Sequence, residues 1–252
     1  MIEIFILALI QGITEFLPVS SSSHLIIFSN YLNFQNESLT IDVCVHIGSF
    51  FAVLAYFHKD IFNFIENKKL LIKIVLSSIP VMILGFLLVQ TNIIQELRNL
   101  KIIGWTTIIF GILLFISDKF NLEKSIEKNF SFQSAIIIGL FQMMSLIPGV
   151  SRSGITITAA RLLNFKRYDS AKISFLLSIP TLAAVSVFGL NDLISSKSLN
   201  FTIMNLTAIL FSFLFSLITI KYFLRFIKRF SLNLFVIYRI ILGLILLVLA
   251  YL

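Results

Sequence analysis

Two short stretches of this sequence concentrate the side chains able to do chemistry. The first runs from Gln11 to His24 and holds Glu15, Ser20, Ser21, Ser22 and Ser23 between them. The second places Ser151, Arg152, Ser153 and Thr156 behind Pro148 and Gly149. Gln11 and Glu15 lie four apart, so a helix puts both on one face. If the stretches meet, one cavity receives a carboxylate, an amide, an imidazole, a guanidinium and up to seven hydroxyls. That inventory suits a phosphate group. The planar fork of Arg152 matches two phosphate oxygens. Gly149 and Gly154 let backbone N–H groups approach closely, and a helix N-terminus attracts anions. Glu15 with Gln11 offers oxygen ligands to a hard divalent cation, which usually recruits substrate phosphates as well. His24 or a serine is the candidate nucleophile. His24 is slightly favoured, because an imidazole titrates near neutral pH.

Each group also has a plainer use. Glu15 could pair with Arg152 as a structural bridge, His24 could cap a helix, and the serines could be caps and packing residues. Asp42 and His46, also four apart, fit the entry of a span as well as support for the site. Arg239 reads as a structural or snorkelling residue. Cys44, the one cysteine, sits in an apolar run and excludes an intrachain disulfide.

The elements that must position these groups follow from composition. Of 252 residues, 58% are hydrophobic and only 13% are charged. A soluble domain carries about a quarter charged residues. The mean hydropathy is +1.00. This composition excludes a soluble globule and a disordered chain, and the continuous apolar runs exclude a barrel. The expected class is an all-α polytopic membrane protein forming a single membrane domain over 1–252. Six stretches free of Asp, Glu, Lys and Arg, or nearly so, read as transmembrane helices: 41–58, 74–95, 102–117, 173–191, 202–220 and 234–252. The third is short and must use its flanks.

Residues 1–34 and 130–165 read differently, each as apolar helix, polar break, short apolar helix. Such arms suit re-entrant hairpins, whose broken backbone is tolerated only where it lines a cavity or is buried in protein. Pro18, Ser21 and Ser23 align with Pro148, Ser151 and Ser153 at an offset of 130, and Tyr31-Leu32-Asn33-Phe34 with Leu162-Leu163-Asn164-Phe165 at 131. The chain therefore reads as two repeats, about 1–127 and 128–252. Three spans separate the hairpins, so the repeats have inverted topology and the hairpins enter from opposite sides. Ser78-Ile79-Pro80 and Ser178-Ile179-Pro180 fall off this register and read as coincidence or local packing. Fifteen Lys and Arg fall on one side, against Arg98, Lys101 and Lys197 on the other. The richer side is cytoplasmic, which puts both termini and the first hairpin outside. The net charge of +8 is thus an orientation signal, with anionic-lipid attraction secondary and nucleic acid excluded as a partner.

The stretch Gln11-Gly12-Ile13-Thr14-Glu15-Phe16-Leu17-Pro18-Val19-Ser20-Ser21 resembles the (Glu/Gln)-x-x-x-Glu motif and its continuation in the undecaprenyl pyrophosphate phosphatase family (BacA/UppP). His24 matches the family histidine. Pro148-Gly149-Val150-Ser151-Arg152-Ser153-Gly154-Ile155-Thr156 is similar to the second family motif, Pro-Gly-x-Ser-Arg-Ser-x-x-Thr. The likeness spans essentially the whole chain. It departs at Gln11, where Glu also occurs in the family, and at Ser22-Ser23, where Thr-Gly is common. The resemblance implies a bacterial inner-membrane enzyme that removes the terminal phosphate of undecaprenyl pyrophosphate. Its product would be the carrier lipid for peptidoglycan synthesis. It further implies bacitracin resistance, since bacitracin competes for that polyprenyl pyrophosphate, and dependence on Mg²⁺ or Ca²⁺. Membrane lipids are expected partners, and a homodimer is possible. By matching position the site comprises Gln11, Glu15, Ser21, His24, Gly149, Ser151, Arg152, Ser153 and Thr156. Inverted repeats with broken helices also describe a transporter or flippase of a phosphorylated isoprenoid lipid. Phosphate release by the purified protein separates the two. A phosphatidate-type phosphatase is disfavoured, because no histidine follows His58 and no Lys-x₆-Arg-Pro motif is present.

Overall fold

The computed structural model describes residues 2–21, 23–25, 39–66, 68–89, 91, 93–120, 123–195 and 203–252. The helices of the described chain are α1 (Ile2–Thr14), α2 (Leu39–Tyr56), α3 (His58–Glu66), α4 (Lys68–Val89), α5 (Ile93–Leu97), α6 (Leu100–Asp118), α7 (Ile126–Asn129), α8 (Phe132–Met143), α9 (Arg152–Leu162), α10 (Arg167–Ser195), α11 (Ile203–Ile227) and α12 (Asn233–Tyr251). Among the described residues, five helices are long and apolar enough to cross a membrane, namely α4, α6, α10, α11 and α12. They present Phe86, Ile109, Phe188, Leu210 and Ile245 on their outer faces. Apolar faces of this extent are those of helices that meet lipid or another protein.

The helix at the expected first span, α2, is shorter than these. It stops at Tyr56, and the chain turns at Phe57 into α3. The second span begins at Lys68 rather than 74 and ends at Val89. Lys68, Lys69 and Lys73 occupy its first turns, so a charge-free window misses its start. Lys73 stays there by donating to the Phe130 carbonyl while lying over the Phe130 and Phe132 rings. The third span, α6, does use its flanks, reaching Leu100 and Asp118. Ser78 of α4 donates to the Leu177 carbonyl of α10. The paired Ser-Ile-Pro segments therefore reflect local packing between α4 and α10.

Both expected breaks are present. The first follows α1, turns through residues 15–19 and resumes helix at Ser21. The rest of its second arm, including Tyr31-Leu32-Asn33-Phe34, lies outside the described residues, as do Ser22 and Lys197. The second passes from α8 through the 3₁₀ turn Met144–Leu146 and Pro148-Gly149 into α9. Ser151 caps α9, its hydroxyl accepting from the Gly154 N–H at 3.2 Å. Its own φ is +64°, and the residue before the first tip's helix, Ser20, has φ +74°. Ser20, not Ser21, is therefore the backbone counterpart of Ser151. The offset changes from 130 to 131 within the turn, and the extra residue is Gly149 at φ +93°. A Cβ there would meet Thr106 Oγ1 of α6 at 2.1 Å.

Packing follows small residues and aromatic rings. Gly48 of α2 lies against the Ile209 carbonyl of α11, where a Cβ would come within 2.4 Å. Ser49 meets Ser212 and Ser216 of α11 at 3.1 and 3.0 Å, the small-residue contact by which membrane helices approach. Phe175 of α10 packs edge-on against Phe16 of the first tip at 5.3 Å, and also against Phe57 and Phe223.

A buried ionic cluster ties the helix ends on one side. Asp118 accepts from Arg167 Nε at 2.7 Å and from the Leu232 N–H at 2.9 Å, and Arg161 Nε lies 3.3 Å from the same carboxylate. Arg161 also donates to the carbonyls of Phe165 and Phe120. Arg161 is only 3% exposed. It counts among the fifteen basic residues of the richer side, yet it is a structural cation rather than a loop charge. Removing one partner of a buried pair costs about 3–5 kcal/mol, against about 0–1 for an exposed pair. Asp118→Ala should therefore lower the unfolding temperature in detergent far more than Lys172→Ala, which breaks the more exposed contact with Asp60. Equal losses in a thermal melt would contradict this ranking.

Candidate active site

The first tip supplies the carboxylate. Gln11 and Glu15 share one face at the end of α1, and Gln11 Nε2 donates to Glu15 Oε2 at 3.0 Å. Ser21 donates to the same oxygen at 3.1 Å. The other oxygen, Oε1, accepts from Arg152 Nη2 of the second tip at 2.7 Å. The sequence-predicted Gln11, Glu15, Ser21 and Arg152 thus form one contiguous cluster joining both breaks. Among the described residues, two of its buried polar atoms have no hydrogen-bond partner, Arg152 Nη1 and Gln11 Oε1. One is a cationic donor and the other a neutral acceptor, and buried groups of both kinds call for a partner.

Ser153 donates to the Leu17 carbonyl at 2.7 Å and sits 3.3 Å from Ser151. It therefore joins the tips by a second contact. Thr156 is buried one turn further along α9, where its hydroxyl meets Ser174 of α10 at 2.7 Å and the Arg152 carbonyl at 2.9 Å. It anchors α9 to α10 and has no direct contact with Glu15. Gly149 contributes its carbonyl to Arg239, as described below. Asp42 and His46 bond to each other, with His46 Nδ1 at 2.8 Å from the Asp42 carbonyl.

His24 is oriented from both ends. Its Nδ1 faces the Ser20 carbonyl at 2.7 Å. A carbonyl only accepts, so Nδ1 carries the proton. Nε2 of the neutral ring then accepts from the Tyr238 hydroxyl at 2.5 Å. The two rings lie nearly parallel, with centroids 5.7 Å apart. His24 combines the backbone contact expected of a cap with a fixed tautomer.

Tyr238 has a role that sequence reasoning missed, and its neighbour Arg239 takes the structural one of its two expected readings. Arg239 is 0% exposed, so it does not snorkel. Its guanidinium donates to Gly149 O at 3.0 Å, Val150 O at 3.2 Å, Thr107 O at 3.2 Å and Pro18 O at 3.4 Å. No carboxylate pairs with it among the described residues. One side chain of α12 therefore holds carbonyls of both tips and of α6. Its legible signal was a lone charge within an apolar span. Tyr238 had none.

The cluster fits a divalent cation only when that cation is shared with a ligand. Among the described residues no three His, Cys, Asp or Glu side chains converge. One carboxylate with the open Gln11 Oε1 resembles the sparse protein donor set of Mg²⁺ sites, which substrate phosphates complete.

Arg239→Lys keeps a charge but replaces a fork by one nitrogen, which cannot serve carbonyls from three segments. Misplacing a tip by an ångström costs on the order of a hundredfold in rate. The variant should fold and insert, retain substrate binding within a few-fold, and lose turnover by about that factor. Unchanged turnover in the purified variant would remove Arg239 from this role.

The model for the family described as bacitracin resistance protein BacA matches residues 4–245. The undecaprenyl-diphosphatase of Pelagibacter ubique (strain HTCC1062) is 50% identical over 252 residues, covering 99% of this chain and 98% of that relative. That of Jannaschia sp. (strain CCS1) is 41% identical over 98% of each. That of Saccharophagus degradans is 42% identical over 94% of this chain and 93% of the relative. With the family model and these relatives matched along almost its full length, the chain belongs to the bacitracin resistance protein BacA family.

Proposed function

We propose that this protein is an undecaprenyl-diphosphatase that releases the terminal phosphate of undecaprenyl pyrophosphate at an outward-facing site. The observation that carries the reading is the Glu15–Arg152 pair, which joins two helix breaks and leaves Arg152 Nη1 without a partner. A phosphate oxygen is the natural acceptor for that donor. The names of the relatives agree.

In this mechanism Arg152 holds a non-bridging oxygen of the terminal phosphate through Nη1. Ser21 is the attacking hydroxyl, because it is the group hydrogen-bonded to the site carboxylate. Glu15 receives its proton. The Ser21 Oγ–phosphorus bond forms while the anhydride P–O bond breaks, and undecaprenyl phosphate departs with the bridging oxygen. Water then supplies the oxygen that releases inorganic phosphate and restores Ser21. His24, held by Ser20 and Tyr238, positions the tip and receives a proton at Nε2. Ser151 and Ser153 hold the turn from which Arg152 projects. A divalent cation, Mg²⁺ or Ca²⁺, would be held by Glu15 and Gln11. When bound, it supplies charge neutralisation of the phosphoryl oxygens. The product is the carrier lipid for peptidoglycan synthesis, and depletion of the pyrophosphate form deprives bacitracin of its target. The six-span arrangement with inverted repeats and both termini outside is the topology that fits this site.

Purified protein given undecaprenyl pyrophosphate in detergent should release phosphate, and a chelator should abolish the release. Arg152→Ala should lower the rate on the order of a hundredfold or more, with little rescue by Arg152→Lys. Ser21→Ala should lose more activity than His24→Ala. The reverse order makes His24 the nucleophile, and no release by the unaltered protein favours lipid transport instead.

A further inference from the structure

A groove of about 570 Å³ opens on the face of α1 opposite Gln11 and Glu15, where Ile13 and Leu17 line it. Its other wall runs along α11 from Phe215 through Arg225 and Phe226, and on into the turn that follows, to Arg229. The groove exists because α1 stops while α11 continues. At Gly12 the two helices touch so closely that a Cβ would meet Phe215 Cβ at 2.6 Å. Two residues later α1 ends, and the chain turns at residues 15–19, whereas α11 runs on to Ile227. The far half of α11 has therefore lost α1 as a neighbour on this face, with Phe235 of α12 closing the recess against Phe223 and Phe226, and the recess so formed is almost wholly apolar.

Its far end is different. Arg225 and Arg229 lie one helical turn apart, both exposed, and neither has a carboxylate within ion-pair distance among the described residues. Arg225 instead rests 5.8 Å from the Tyr222 ring. From Phe215 to the end of α11 at Ile227 the wall is roughly 18 Å long at about 1.5 Å per residue, with Arg229 just beyond. That matches about half of a bilayer of ~40 Å including headgroups. An apolar channel one leaflet long, closed by two unpaired guanidiniums, has the shape and charge of one amphiphile.

We infer that this groove binds an anionic glycerophospholipid, its phosphate on Arg225 and Arg229 and an acyl chain along α11 toward Leu17. The lipid belongs to the leaflet on the arginine side. It fills the space left beneath the first tip, and its chain ends against the residue whose carbonyl receives Ser153. The site lies behind α1 and does not use the Glu15–Arg152 pair.

The test uses the full chain, purified in detergent and offered equal amounts of phosphatidylglycerol and phosphatidylcholine with the same acyl chains. Native mass spectrometry counts the lipid retained. The unaltered protein should retain one phosphatidylglycerol with a preference on the order of tenfold or more. Arg225→Gln with Arg229→Gln should lose the preference, and Ile218→Trp, which crowds the groove and keeps both arginines, should lose retention of either lipid. All should release phosphate from undecaprenyl pyrophosphate at the unaltered rate. Equal retention of the two lipids, or an undiminished preference in the double variant, overturns the proposal. Displacement by inorganic phosphate alone would replace the lipid with a free anion and overturn it too, and loss of phosphate release in either variant would overturn the separation of the two sites.

Discussion

Glu15 and Arg152 are 137 positions apart in sequence, and their side chains are 9% and 13% exposed. Taking either charge out of water alone costs several kcal/mol. Only the partner, with its hydrogen bonds, offsets that cost. Each tip is thus a poor structure without the other. This condition accounts for the surrounding contacts. Gln11 and Ser21 satisfy the carboxylate oxygen that Arg152 does not take, and Ser153 reaches across to Leu17 beside the pair. Among the described residues, Arg152 Nη1 and Gln11 Oε1 remain unsatisfied.

The second requirement is backbone. Each turn leaves peptide groups without helical partners, away from water. A buried carbonyl without a donor costs about 1–3 kcal/mol. Arg239 meets this need at Pro18, Gly149 and Val150 with one guanidinium, while Thr106 Oγ1 donates to the Pro148 carbonyl at 2.7 Å. A cation surrounded by carbonyl dipoles needs no counter-ion of its own, which explains how Arg239 stays buried unpaired. The same helix holds His24 through Tyr238, so α12 sets both the turns and the imidazole.

The two breaks were legible in the sequence because Pro, Gly and serine runs interrupt apolar stretches, and a helix cap at Ser151 follows from the residue type. Gln11 and Glu15 on one face followed from their spacing, and their meeting with Arg152 from the expected convergence of the breaks. Other features could not be read. The start of α4 was hidden by its three lysines, of which Lys73 sets its ammonium over Phe130 and Phe132. Arg161 looked like an ordinary loop charge, because nothing local announces that Asp118, 43 positions earlier, will bury it. The alignment of the tips slipped by one, since a match of identical serines cannot sense which of them takes a left-handed backbone. Tyr238 is one tyrosine among six, and only the fold places its hydroxyl on His24.

The position of Arg239 has a consequence for biosynthesis. Synthesis proceeds from the N-terminus, so both tips have emerged before α12 exists. Until α12 docks, the tip carbonyls lack their shared donor and the tips have no fixed relation. The nascent protein therefore passes through a stage in which Glu15, Ser21 and Arg152 have been made but the contacts of Arg239 with both tips have not. Docking of α12 is the event that supplies those contacts. Arg239 also taxes that insertion by about 2.5–3.5 kcal/mol at mid-helix. The leucines and isoleucines of α12 carry the arginine in, and the two tips gain their shared donor late and in one step.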